Sequence, residues 1–156
     1  MLAFEAILSG VVATLFLDLW QRLLFAVKGV PPTSWALVGR WFRSALRGRI
    51  FPGVVAQLPE EPGELRLGWT VHYVVGIGYG AVYVLGLRAF GLEPASLLNG
   101  LVFGIASVAV PWFFFMPAMG VGLLARRAPN PPLARILAFA AHTVFGLGLA
   151  VGSALP

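Results

Sequence analysis

Four long stretches of this chain carry almost no charge: residues 3–27, 68–90, 96–124 and 133–155. A hydrocarbon core of roughly 30 Å is crossed by about 20 apolar residues in a helix, since each residue advances the axis by about 1.5 Å. Each stretch is therefore long enough for one crossing. A membrane β-barrel would show short segments of alternating polarity, whereas these runs are apolar on nearly every face and closed by Pro or Gly. The expected fold is all-α, an integral membrane four-helix bundle that forms a single domain over residues 1–156.

Charge sets the orientation. Hydrophobic residues make up 59% of the chain and charged residues only 11%, a surplus that a soluble core has no room to bury. Of the eleven basic residues, Arg22, Lys28, Arg40, Arg43, Arg47, Arg49 and Arg66 flank or fill the first connection, Arg126, Arg127 and Arg135 the third, and Arg88 alone the second. The positive-inside rule then places connections one and three in the cytoplasm and both termini outside it. The first span lacks a basic leader and carries Glu5 near its start, so it is expected to be retained. Nucleic acid is not an expected partner, because the basic residues lie beside spans and no soluble module presents them. The absence of cysteine excludes disulfides, iron–sulfur clusters and thiolate zinc sites.

The first connection is the long one. Its portion 33–47 has helical amphipathicity, with Arg40, Arg43 and Arg47 on one face and Trp35, Val38, Phe42, Ala45 and Leu46 on another. A short interfacial helix is expected there, its basic face toward lipid headgroups, followed by Pro59 to Glu64 as a solvated turn.

Spans two and four share the pattern His-x-x-x-Gly-x-Gly, at His72, Gly76, Gly78 and at His142, Gly146, Gly148. The match suggests two related helical hairpins. Glycines four apart also occur as Gly76 and Gly80, Gly100 and Gly104, and Gly148 and Gly152. Such notches let helix backbones approach, either inside one bundle or in a homodimer or larger membrane complex.

Ionisable groups within a bilayer are costly unless paired, and here they are Asp18, His72 and His142. Counted from the expected cytoplasmic ends, they lie roughly 13, 8 and 13 Å deep. Met116 reaches a similar depth in the third span, inside a stretch that Pro111 and Pro117 must kink. On the first span Gly10, Thr14, Asp18 and Gln21 or Arg22 form one stripe, expected to face the interior. The expected site is therefore Asp18, His72 and His142, bordered by Trp69, Tyr73, Met116 and Pro117. Three uses fit such a site. The groups fix packing, as in a structural or accessory subunit of a membrane complex; they relay protons, ions or a small solute; or His72 and His142 ligate a haem or a metal ion. No nucleophile elbow or oxyanion-hole motif points to hydrolysis, and no other enzymatic motif stands out.

Several of these marks recur together: Asp18-Leu19-Trp20, Val38-Gly39-Arg40-Trp41, Gly68-Trp69, His72-Tyr73, Met116-Pro117-Ala118-Met119-Gly120 with Gly122, and His142 followed by Phe145-Gly146-Leu147-Gly148-Leu149. In this arrangement the chain resembles an uncharacterised family of small four-span bacterial inner-membrane proteins, a domain of unknown function. The resemblance implies a bacterial plasma membrane and four helices, and it supplies no activity.

Overall fold

A computed structural model describes all residues 1–156. It contains helices and no strands. We number the helices α1 (Leu2–Lys28), α2 (Trp35–Leu46), α3 (Glu64–Ala89), α4 (Leu97–Ala118) and α5 (Pro131–Ser153). All but α2 are long and apolar enough to cross a membrane. Their outward faces carry Phe4, Leu15, Leu19, Leu23, Val74, Val82, Val102, Ile105 and Ile136, all exposed. So much large apolar surface is stable only against acyl chains.

Two boundaries differ from the hydropathy of the sequence. α3 begins at Glu64, before the apolar run, because the Glu64 carboxylate reaches back to accept the Glu61 N–H at 3.1 Å and closes the helix start. α4 ends at Ala118, although apolar residues continue to Leu124. Gly120 and Gly122, with φ of 84° and 82°, turn the chain there, and a Cβ at Gly120 would strike the Gly53 carbonyl. Within α4 the two prolines leave a π-helical stretch, Pro111–Phe115, in which the Met116 N–H reaches the Pro111 carbonyl.

Contacts divide the chain into two compact units. The first comprises Met1–Thr33, Tyr73–Ser107 and Ala140–Pro156. Small residues set its geometry: Gly10 of α1 meets the backbone of Gly76 and Ile77 on α3, Gly146 of α5 meets Gly100 and Gly104 of α4, and Gly148 and Gly152 of α5 meet Ala13 and Ser9 of α1. All six glycines of the spaced pairs thus face another helix of the same chain. Ala6, Ala13, Tyr83, Val84, Phe145 and Leu149 fill the interior. Ser9 Oγ donates to the Leu149 carbonyl at 2.9 Å, and Tyr83 donates to the Pro94 carbonyl at 2.5 Å, which ties α3 to the turn before α4.

The second unit comprises Ser34–His72 and Val108–Phe139. Its core is Trp41, Val55 and Ala118, with Leu37, Phe42, Leu58, Phe115 and Met119 around them. α2 crosses the start of α3 in close contact: a Cβ on Gly39 would strike the Glu64 carbonyl, and one on Gly68 the Trp35 carbonyl.

The repeated glycine motif is only half symmetric. Gly76 and Gly146 each seat the span before them in the chain's hairpins, but Gly78 faces open space while Gly148 packs on α1.

Candidate functional site

The stripe of α1 faces inward: Ser9, Gly10, Ala13, Thr14 and Gln21 are buried, and Asp18 is half-buried among them. Thr14 spends its hydroxyl on the Gly10 carbonyl at 2.8 Å. Gln21 accepts the Thr33 N–H at 2.7 Å and so anchors the chain leaving α1. Asp18 accepts a hydrogen bond from the Tyr73 hydroxyl at 3.1 Å. An acid in a span thereby meets a phenol, a donor with an apolar body suited to a helix interface.

His142 is engaged on the α4 side. Its Nδ1 lies 2.8 Å from Ser107 Oγ, and the same hydroxyl lies 2.7 Å from the Gly104 carbonyl. A hydroxyl has one proton, and a carbonyl only accepts. Both contacts are satisfied together when Ser107 donates to Gly104 and His142 donates its Nδ1 proton to Ser107. The neutral ring then carries its lone pair on Nε2, the nitrogen from which a proton or ligand is handled. Around it stand Tyr79, edge-on with centroids 6.3 Å apart, and Phe145 at 6.3 Å.

The helix registers relate these two pairs. α1 and α5 run antiparallel with Ser9 against Gly152 and Ala13 against Gly148, so Asp18 stands level with Thr143, the neighbour of His142. Asp18 with Tyr73, and His142 with Ser107, therefore occupy one level of the first unit, four polar side chains from four helices. Ser107 is the member that sequence reading missed. Its signal was a hydroxyl one turn before Pro111, where the helix loses the N–H that would have bonded the Ser107 carbonyl.

His72 belongs to the second unit and is buried. Its ring stacks on Trp35, with centroids 3.7 Å apart and planes at 22°, and Trp69 stands at 5.8 Å. Trp35, from the apolar face of the interfacial helix, thus packs on His72 and Trp69. Of the other border residues, Met116 and Pro117 lie in α4 just after the π-helical stretch, half-buried in the second unit. Trp112 in that stretch keeps its indole N–H buried without a partner. No three histidine, aspartate or glutamate side chains are grouped so as to hold a metal ion.

The basic face of α2 has a different use from the one expected. Arg40 is buried and forms a fork with Glu64, at 2.8 and 2.7 Å, while also donating to the Leu58 carbonyl at 2.8 Å. Arg47 forms a second fork with Glu61 at 2.6 and 2.9 Å, and Arg43 reaches Glu61 at 3.3 Å and the Pro62 carbonyl at 2.6 Å. Pro59 to Glu64 is the exposed turn expected, with Pro59, Glu60, Pro62 and Gly63 exposed, but through Glu61 and Glu64 it is also the partner of that face. Bidentate geometry explains why arginine stands here. The hydrogen bonds from Arg47 hold the Glu61 carboxyl below the usual carboxylate range.

Residues 7–155 match the model of a family described as "Protein of unknown function (DUF2938)", and the chain belongs to that family. No curated protein and no solved structure matches it.

Proposed function

We propose that this DUF2938 protein handles protons, or a small polar solute that carries them, at the level that Asp18, Tyr73, Ser107 and His142 share. The observation that supports this reading is the Ser107 to His142 contact of 2.8 Å, which occupies Nδ1 and, with Ser107 donating to the Gly104 carbonyl, makes Nε2 the nitrogen that can take up a proton. Imidazole can take up and pass on a proton through its second nitrogen, and an acid paired to a phenol provides a second station for the proton. In this reading the protein lies in the bacterial inner membrane with both termini outside the cytoplasm, and the layer belongs to its cytoplasmic half.

The test is flux. The purified protein is reconstituted into liposomes holding a pH-sensitive dye, and a potassium diffusion potential is imposed. Proton entry is expected from the wild type, and loss of it from Asp18→Asn and His142→Gln, with Tyr73→Phe intermediate. Absence of flux in wild-type liposomes, with and without added small solutes, would end the proposal. A Soret band or stoichiometric metal in the purified protein, lost in His142→Gln, would point to ligation instead.

A further inference from the structure

The two units differ in charge. In the first, Arg22, Lys28 and Arg88 balance Glu5, Asp18 and Glu93. In the second, eight arginines face Glu60, Glu61 and Glu64, so the chain's whole net charge of +5 resides there. All three glutamates are taken up by α2: Arg40 holds Glu64 and lies 3.6 Å from Glu60, while Arg43 and Arg47 hold Glu61. The surplus is left on Arg49, Arg66, Arg126, Arg127 and Arg135.

Three of these five stand on two loops that touch. In residues 47–54 the backbone of Arg49 is fixed twice by Ser44, whose carbonyl accepts the Arg49 N–H and whose hydroxyl donates to the Arg49 carbonyl, each at 3.0 Å. Trp41 Nε1 holds the Ile50 carbonyl at 2.9 Å. In residues 119–127 the stems of Arg126 and Arg127 fold side by side over Gly122, and the Arg127 N–H is bound by the Val121 carbonyl at 2.9 Å. The loops meet where Val55 N–H bonds the Met119 carbonyl and Gly120 abuts Gly53.

The second loop is also strained. Leu124 and Ala125 have φ of 52° and 56°, a left-handed conformation that non-glycine residues rarely adopt and that persists only where the surroundings impose it. Ala125 is fully buried and Arg135 Nε donates to the Leu124 carbonyl at 2.9 Å. The strain turns Arg126 and Arg127 to the surface, where both are exposed.

The same surface is apolar between its cations: Phe51 is 62% exposed and Leu123 42%. Guanidinium groups beside exposed aromatic and aliphatic side chains match the boundary between headgroups and acyl chains. We propose that the two loops form a binding surface for the headgroup of an anionic phospholipid, with Arg49, Arg126 and Arg127 as its cations and Phe51 and Leu123 set among the chains. The surface is independent of the proton-handling layer.

The test uses the full chain in a neutral detergent and native mass spectrometry, with phosphatidylglycerol and phosphatidylcholine of matched acyl chains. Phosphatidylglycerol is expected to bind at least tenfold more tightly. Arg49→Ala, Arg126→Ala and Arg127→Ala should each weaken it about fivefold, the factor that corresponds to ~1 kcal/mol per cation at a membrane surface. Arg43→Ala, whose charge is spent on Glu61, should leave binding within about twofold if affinity follows local rather than total charge. Equal affinity for the two lipids, an Arg43→Ala loss as large as that of Arg49→Ala, or competition by inorganic phosphate as effective as by lipid would overturn the proposal. Should a variant lose its helix content, salt decides the matter on the wild type. Raising it from about 0.1 to about 1 M, which shortens the screening length from roughly 10 to 3 Å, must weaken phosphatidylglycerol binding selectively.

Discussion

Gly78 and Gly148 occupy equivalent places in the repeated motif and unequal places in the fold, so alanine should affect them in opposite directions. A Cβ at Gly148 would lie 2.7 Å from Ala13 Cα, against 3.4 Å for the near edge of ordinary contact. Phe16 Cβ, at 3.1 Å, is fixed to the same backbone, so the contact with Ala13 is relieved only if α1 and α5 part by about 0.7 Å. A close helix contact of about 40 atom pairs is worth ~4–8 kcal/mol, and a gap of 0.5–1 Å forfeits a quarter to a half of each well. The loss is therefore ~1–4 kcal/mol, in line with the usual cost of overpacking, ~1–3 kcal/mol. The Ser9 to Leu149 hydrogen bond next to it lengthens as well, which adds ~0.6 kcal/mol. Gly148→Ala should cost ~2 kcal/mol or more. At Gly78 nothing lies within 4 Å, so alanine there should be neutral or should stabilise by up to ~1 kcal/mol through its helix propensity. Unfolding by sodium dodecyl sulfate in mixed micelles, followed by far-ultraviolet circular dichroism, measures both. Equal shifts of the same sign for the two variants would refute the assignment of Gly148 to the α1 contact.

Three further outcomes follow from single contacts. Ser107→Ala strands the His142 Nδ1 donor and should cost ~1–3 kcal/mol in the same titration, with Ser107→Thr recovering most of it. Because Glu61 titrates below its ordinary value of 4.5, its hold on Arg47 is complete above that value and is lost as pH falls through the lower folded value. A spin label on a cysteine replacing exposed Leu46 should therefore gain mobility on acidification below about pH 4.5, and Glu61→Gln should abolish that dependence. The cysteine-free chain also permits a direct check of orientation. In intact cells an impermeant maleimide should label Ala154→Cys at once and Pro129→Cys only after the membrane is opened.

Most of the architecture was legible because the bilayer imposes it. Spans must be helical and apolar, and hydropathy reads both conditions directly. The end of α4 was not legible, since residues 119–124 remain apolar while Gly120 and Gly122 turn the chain. Nor was the use of the α2 arginines. Periodicity placed Arg40, Arg43 and Arg47 on one face, but whether such a face meets headgroups or carboxylates depends on where Glu61 and Glu64 return, a contact across 14 to 24 residues. A tract reading Pro-Glu-Glu-Pro-Gly-Glu has the composition of a solvated turn whichever partner it finds.

The residues on which the family resemblance rests now divide by what the structure asks of them. Gly39 and Gly68 allow α2 to cross α3, Arg40 binds Glu64, Trp41 holds Ile50, and Ala118, Met119 and Gly120 seat the loop at Gly53 to Val55. Phe145, Gly146, Gly148 and Leu149 build the core of the first unit. Each of these is accounted for by packing. Asp18, Tyr73 and His142 are not, because an apolar residue of similar volume would fill the same interface without burying an acid or an imidazole, and such replacements are often neutral or stabilising. A bundle selected for stability alone would have no reason to hold an acid, a phenol and a neutral imidazole at one level of four helices. What packing leaves unexplained is the layer to which the proposed proton chemistry is assigned, and the same subtraction predicts that Asp18→Asn and His142→Gln fold as well as the wild type while losing flux.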